Sequence, residues 1–238
     1  MATLPLIPAR FSRRPNRFVV EARLESGEIV PTHLADPGRL RELLVPDAEL
    51  RLRPVPEDNP RKTRYTVALV RSSDPPYRWV SVDTSLPNRL AEDLLRNNQV
   101  EGMPTCNSLR REVTRGKSRF DFLLAHDDGS ETWVEVKSVT LVEDRVARFP
   151  DAPTVRGARH VRELAEIVRE GGRAAVLFVV QRDDAESVEP KADTDPDFAA
   201  ALQEAESAGV SLHAVKYRLN EDGAAAFRGK LPVMANPD

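Results

Sequence analysis

The stretch SRFDFLLAHDDGSETWVEVKSV (118–139) decides how the chain is read. Two runs that alternate in character, Ser118–His126 and Ser130–Val139, flank Asp127-Asp128-Gly129, and a three-residue hairpin loop needs a left-handed residue at its last position, which Gly129 supplies. With that loop His126 pairs with Ser130. Each step back along the first strand then advances the second by one, setting Asp121 opposite Glu135 and Arg119 opposite Lys137. Paired residues share a sheet face, and the period of two puts Glu135 and Lys137 on that face together. Phe120, Phe122, Leu124, Val134 and Val136 are expected on the other face as core.

Two adjacent carboxylates repel unless a cation lies between them, and they are hard oxygen donors suited to Mg²⁺ or Mn²⁺. In phosphodiester hydrolysis such an ion polarises a phosphoryl oxygen and acidifies a bound water. Lys137 would orient that water or stabilise charge growing on the phosphate. This is the Asp…Glu-x-Lys arrangement of restriction-endonuclease-like, PD-(D/E)XK, folds. Glu-x-Lys alone is weak: about one acidic-x-Lys triplet is expected by chance. A second, Glu189-Pro190-Lys191, is set aside because its surroundings do not read as a strand. An ordinary hairpin with a surface salt bridge is the competing reading.

Working outward, Leu86–Asn97 reads as an amphipathic helix and Ser108–Thr114 as a strand before the hairpin. After it come a helix over 154–170 stopped by Gly171-Gly172, an apolar strand Ala174–Val180, a helix capped by Asp195 with Pro196 first and Gly209 last, and a strand Val210–Tyr217. The order from residue 83 is α-β-β-β-α-β-α-β. Residues 1–82 read differently. Arg17–Leu24, Glu28–His33, Glu49–Arg53, Thr63–Arg71 and Tyr77–Val82 are strand candidates, with a turn at PVPEDNP (54–60). A short helix is expected at Gly38–Leu44, earlier than an oligonucleotide-binding (OB) barrel normally places one. The expected architecture is therefore an α/β (α+β) chain: an OB-like β-barrel over 1–82 and a nuclease-like domain over 83–238.

Overall charge is −3, but residues 1–80 hold 14 Lys+Arg against 10 Asp+Glu while the rest hold 21 against 28. Near the start Arg10, Arg13, Arg14, Arg17 and Arg23 face only Glu21. That cluster reads equally as phosphate-neutralising or as a solubilising basic tail. Further candidate DNA contacts are Arg39, at a turn where Asp36 caps as readily as phosphate would bind, Arg119, Arg156 and His160. Arg156, His160 and Glu163 share one stripe of the 154–170 helix. Gly157 is odd inside a helix, costing ~1 kcal/mol against Ala, and suggests close approach of another backbone. Glu92 or Glu112 could add a carboxylate to the metal or be a plain surface residue. Tyr65, Tyr77 and Trp79 suit either barrel core or stacking on bases, and His126 and His213 read as structural.

One cysteine, Cys106, excludes an internal disulfide and a Cys-based zinc site. No apolar run approaches the ~20 residues of a membrane helix, and the start lacks the pattern of a signal peptide. The expected compartment is the cytoplasm, with no membrane partner.

The stretches THLADPGRLRELL (32–44), GKSRFDFLL (116–124), WVEVKSVTL (133–141), FPDAPTVRGARHVREL (149–164) and DPDFAAAL (195–202) resemble the sugar fermentation stimulation protein A (SfsA) family. The resemblance implies an OB-like barrel followed by a nuclease-like domain, DNA binding, and a regulatory link to sugar (maltose) metabolism. It places the metal and catalytic motif on Asp121, Glu135 and Lys137. Asp36-Pro37 departs from the Asn expected before the Gly-Arg of the first stretch. Two functions are therefore carried forward: DNA binding of weak sequence preference at a nuclease-like metal site, and active Mg²⁺- or Mn²⁺-dependent DNA cleavage. No helix-turn-helix stands out to read bases in a groove.

Overall fold

The computed structural model describes residues 5–56 and 58–236. Glu57 of the expected 54–60 turn and the first four residues lie outside them. The chain divides into two compact units, Met1–Thr84 with Tyr217–Phe227, and Ser85–Lys216 with Arg228–Asp238.

The first unit is built on β1 (Ile7–Asn16), β2 (Val19–Leu24), β3 (Ile29–His33), β4 (Glu49–Pro54), β5 (Tyr65–Arg71) and β6 (Trp79–Ser81). Antiparallel pairs β1–β2, β2–β3, β4–β5 and β1–β4, with a parallel β3–β5 contact, close five strands into a barrel. Closure leaves no free edge among these strands. Val20, Ala22, Leu50, Leu52, Val67 and Val70 fill the interior.

Three expectations change here. The arginine-rich start is not a tail: Ala9 and Phe11 point into the core while Arg10 and Arg13 face out, so Ile7–Asn16 is itself a barrel strand. The run at 77–82 instead supplies β6, which pairs with β5 outside the closed ring. Nor is there a helix at Gly38–Leu44. Leu40 adopts φ 49°, the left-handed region a helix cannot pass through. Arg14 takes the carbonyls of Gly38 and Arg39 at 2.7 and 2.9 Å, where a helix would keep them for itself. Leu34, Leu40 and Leu43 are buried in the barrel core instead.

The second unit begins with α1 (Leu86–Arg96), then β7 (Ser108–Arg115), β8 (Ser118–Ala125) and β9 (Glu131–Val139). After β10 (Leu141–Glu143) and β11 (Val146–Phe149) come α2 (Val155–Arg169), β12 (Arg173–Val180), β13 (Ser187–Pro190), α3 (Pro196–Ala208), β14 (Ser211–Leu219) and β15 (Ala225–Leu231). The main sheet runs β14-β12-β9-β8-β7, parallel across β14, β12 and β9 and antiparallel from β9 to β7. Residues of β14 beyond Lys216 count with the first unit, where Leu219 pairs with Trp79 of β6.

On one sheet face Val139, Val176, Phe178 and Val180 meet Leu164 of α2 and Phe198 and Leu202 of α3. The alternate residues Phe122, Leu124, Val134, Ala175 and Leu177 are equally buried on the other face, and α1 lies against β9 and β12. Asp195 joins the helical layer: its carboxylate accepts from Phe198 N at 2.9 Å, capping α3, and from Thr154 N at 2.6 Å at the start of α2. Thr154 caps α2 through Gly157 N at 3.0 Å. A Cβ on Gly157 would sit 2.7 Å from the Thr154 methyl, so this glycine makes room for the cap and not for another backbone.

The short strands β10, β11 and β13 form a separate three-stranded sheet. The Glu189-Pro190-Lys191 triplet therefore does adjoin a strand, contrary to expectation. Its side chains are committed elsewhere: Glu189 to Arg148 at 2.5 Å and Lys191 to Glu143 at 2.6 Å.

Candidate metal centre

The hairpin closes as its loop requires. His126 N donates to Ser130 O at 3.0 Å, Gly129 has φ 78°, and the pairs run from Ala125↔Glu131 to Phe122↔Val134. The next step along that register is Asp121 and Glu135, and there the ladder stops. Asp121 Oδ2 accepts from Val136 N at 2.8 Å, so a carboxylate takes the amide that a neighbouring strand would otherwise bind. Its Oδ1 accepts from Asn88 Nδ2 of α1 at 2.7 Å.

The opening has a local cause. In the β7–β8 register Arg111↔Phe122 and Val113↔Phe120 flank a gap at Glu112 and Asp121, and Glu112 has φ 53°. Such a conformation in a non-glycine residue kinks the strand. Past the kink Phe120 no longer shares a face with Phe122. Its ring lies 5.6 Å from those of both Trp133 and His160, within the α2–α3 core. Arg119, expected opposite Lys137, pairs with Thr114 and bonds Glu112 at 2.7 Å.

Glu135 and Lys137 are only 6 % and 8 % exposed. Glu135 Oε1 accepts from Lys137 Nζ at 2.8 Å and from His160 Nδ1 at 2.7 Å. Arg156 Nε donates to His160 Nε2 at 3.4 Å, which leaves the ring proton on Nδ1. Glu135 Oε2 is buried with no hydrogen-bond partner among the described residues. Burial, and then the charge of Glu135, push the Asp121 carboxyl above its ordinary range. Burial works to raise Glu135 as well, but Lys137 and His160 together outweigh it and hold that carboxyl below its usual value.

The site thus holds two carboxylates against one ammonium, with one buried carboxylate oxygen unused. That donor chemistry fits a hard divalent cation. Among the described residues no three His, Cys, Asp or Glu side chains stand close enough to cage an ion. Mg²⁺ is typically held by one or two carboxylates and completes its sphere with water and substrate phosphate, so two suffice.

Asn88 and the His160–Glu135 bond were not legible from spacing. Glu92 is held by Arg96 at 2.8 Å and Arg111 at 3.0 Å, and Glu112 by Arg119, so arginines engage both candidate extra carboxylates. Among the other candidate DNA contacts Arg156 is exposed and His160 is buried beneath it. In the first unit Arg13 forms a two-point pair with Glu21 at 2.6 Å. Arg14 supports the 36–39 backbone, Arg17 lies 4.7 Å over the Phe18 ring, and Arg39 is exposed. His126 bonds Thr105 O and Thr132 Oγ1, each at 2.8 Å, tying the hairpin to the loop before β7. No helix among the described residues is long and apolar enough to cross a membrane.

A closed five-stranded OB barrel and a restriction-endonuclease-like domain define the class of this protein. The SfsA N-terminal OB domain matches residues 13–82 and the sugar fermentation stimulation protein RE domain residues 85–223. A sugar fermentation stimulation protein homolog of Moorella thermoacetica is 47% identical over 224 residues, covering 93% of this chain and 94% of its own. Another, of Symbiobacterium thermophilum, is 44% identical over 238 residues, covering 94% and 93%. The solved structure of Pyrococcus furiosus SfsA in complex with Ca²⁺ is similar with a TM-score of 0.87 at 32% identity, covering 98% of each chain. The chain belongs to the sugar fermentation stimulation protein A family.

Proposed function

We propose that this protein binds DNA and that its second unit holds Mg²⁺ or Mn²⁺ between Asp121 and Glu135 to hydrolyse the phosphodiester backbone. The observation that carries the reading is the buried, unpartnered Oε2 of Glu135 beside a second carboxylate whose proton affinity Glu135 raises. A divalent ion there would polarise a phosphoryl oxygen and acidify a bound water. Asp121 is held for that task by Asn88 and Val136 N, and Glu135 by His160, whose bond to Oε1 keeps Oε2 turned away from its partners. Lys137 neutralises the pair and stands one strand step along to meet charge growing on phosphate. Exposed Arg156, bonded to the back of His160, is the candidate on α2 for a flanking phosphate. In the first unit exposed Arg17 and Arg39 are the candidates. The Ca²⁺ named for the Pyrococcus furiosus relative supports a divalent ion here.

A second reading, DNA binding without turnover in the regulation of sugar (maltose) metabolism, is favoured by the commitment of Lys137 to Glu135 and by the family name. A time course of labelled single- and double-stranded DNA with Mn²⁺, against Glu135→Ala, separates the two. Metal-dependent cleavage lost in the variant supports hydrolysis. A band shift without cleavage supports regulation, and a wild-type protein that neither binds nor cleaves refutes both. Weak sequence preference and strong dependence on salt accompany either reading.

A further inference from the structure

In the first unit the turn joining β5 to β6 faces residues 218–222 across a cavity of about 550 Å³. Its wall carries Tyr77, Trp79, Arg71, Arg78 and Arg218. The two rings stand in different conditions. Trp79 is covered by the guanidinium of Arg51, 4.5 Å from the ring centre, and Glu221 anchors that arginine at 2.8 Å. Tyr77 is 50 % exposed. Among the described residues the charged group over its ring is Arg71, at 5.9 Å, and Glu49 holds Arg71 at 2.9 Å. The backbone beneath Tyr77 is fixed, since its N–H donates to Asp74 O at 2.8 Å and its carbonyl accepts from Arg71 Nε at 3.3 Å. An aromatic residue is thus presented on a braced turn with about half of its surface in water.

The charges around it are unequal in commitment. Glu221 is taken by Arg51, and Asp222 accepts from Ala224 N at 2.9 Å. The guanidinium of Arg218, exposed on the same wall, makes no hydrogen bond or ion pair among the described residues. A ring open to solvent beside an uncommitted guanidinium matches an unpaired nucleobase and its phosphate, since stacking asks only for a π-face and the arginine for a charge. Duplex DNA hides its base faces in the stack and offers only edges in its grooves.

We propose that this cavity binds single-stranded nucleic acid, with one unpaired base stacked on Tyr77 and an adjacent phosphate on Arg218. The proposal rests on the reading of the chain as a DNA-handling protein and narrows it to strands with exposed bases. Fluorescence anisotropy of labelled oligothymidylate, oligouridylate and a duplex of equal length, with chelator present to prevent turnover, tests it. Tyr77→Ala should weaken oligothymidylate binding about 5- to 150-fold, the range that stacking of one base spans. Tyr77→Phe should keep the affinity, and duplex binding should be indifferent to both changes. Arg218→Ala should lower the log–log salt slope by about 0.7, one single-strand phosphate contact. A loss on oligothymidylate alone, or on oligouridylate as well, supports the site and tells DNA from RNA as its source. Wild-type affinity in both Tyr77→Ala and Arg218→Ala overturns the site while the DNA-binding reading stands. A wild-type protein that binds none of the three probes overturns both.

Discussion

Replacing Glu135 by Gln keeps the shape of a buried side chain and removes its charge. The amide oxygen can still accept from Lys137 Nζ and His160 Nδ1, so the geometry survives and the loss is electrostatic. What remains is an ammonium whose side chain is 9 % exposed and has lost its carboxylate. Breaking a buried pair from one side typically costs about 3–5 kcal/mol. Asp121 offsets part of this, because its proton affinity is raised by Glu135 and falls once that charge is gone, giving Lys137 a fuller negative neighbour. The lower end, about 3 kcal/mol, is therefore expected, or about 6–12 °C in melting temperature for a protein of this size. Glu135→Gln combined with Lys137→Met removes both charges and should recover most of that loss, since paired removal is often neutral. Thermal melts followed by circular dichroism at pH 7 with chelator present measure all three proteins. A Glu135→Gln melt within about 2 °C of the parent would refute the claim that a buried ion pair holds this site together.

The remaining expectations concern catalysis, a helix cap and acid stability. Lys137→Ala should abolish Mn²⁺-dependent cleavage while DNA affinity measured by band shift stays within about 2-fold, a change under 0.5 kcal/mol; normal turnover would remove Lys137 from the mechanism. Gly157→Ala should destabilise by about 1–2 kcal/mol in denaturant titration, despite the better helix propensity of alanine, because its Cβ displaces the Thr154 cap. Burial, only partly offset by a hydrogen bond with the Glu101 backbone, holds the His213 imidazole below its ordinary value. Below about pH 6.5 the unfolded chain binds a proton that the folded protein refuses, so stability should fall as pH drops through 6.5 toward the lowered value. His213→Asn should flatten that slope in melts between pH 5 and 8, the span in which histidine titrates.

The hairpin was legible because a three-residue loop ending in Gly129 admits one register, and register fixes Asp121 against Glu135 without knowledge of the rest. The loss of alternation at Phe120 was not, since it follows from a left-handed Glu112 on a third strand and glutamate carries no signal for that conformation. The pattern at Gly38–Leu44 suited a helix locally, and the contact that overrides it comes from Arg14, 24 and 25 residues away from the carbonyls it takes. In β1 the apolar alternation Ile7, Ala9, Phe11 was present but masked by Arg10 within it and Arg13 and Arg14 after it. His160 reaches Glu135 across 25 residues and Asn88 reaches Asp121 across 33. Side chains that serve a site from other elements leave no trace in spacing, and the strands of the second sheet, three or four residues each, lack the length for a period to register.

The double grip of Asp195 carries a dynamic consequence. One buried carboxylate satisfies the first turn of α3 and the entry to α2, whose facing surfaces share a core. Fraying α3 from its start carries Asp195 away and strands Thr154 N, while fraying α2 leaves one oxygen of a buried carboxylate without its donor, so neither opens alone at ordinary cost. The two helices then form one cooperative block, whose amides exchange with solvent at a common free energy. His160 and Arg156 ride on that block, so its rare openings set how often Glu135 loses its backing.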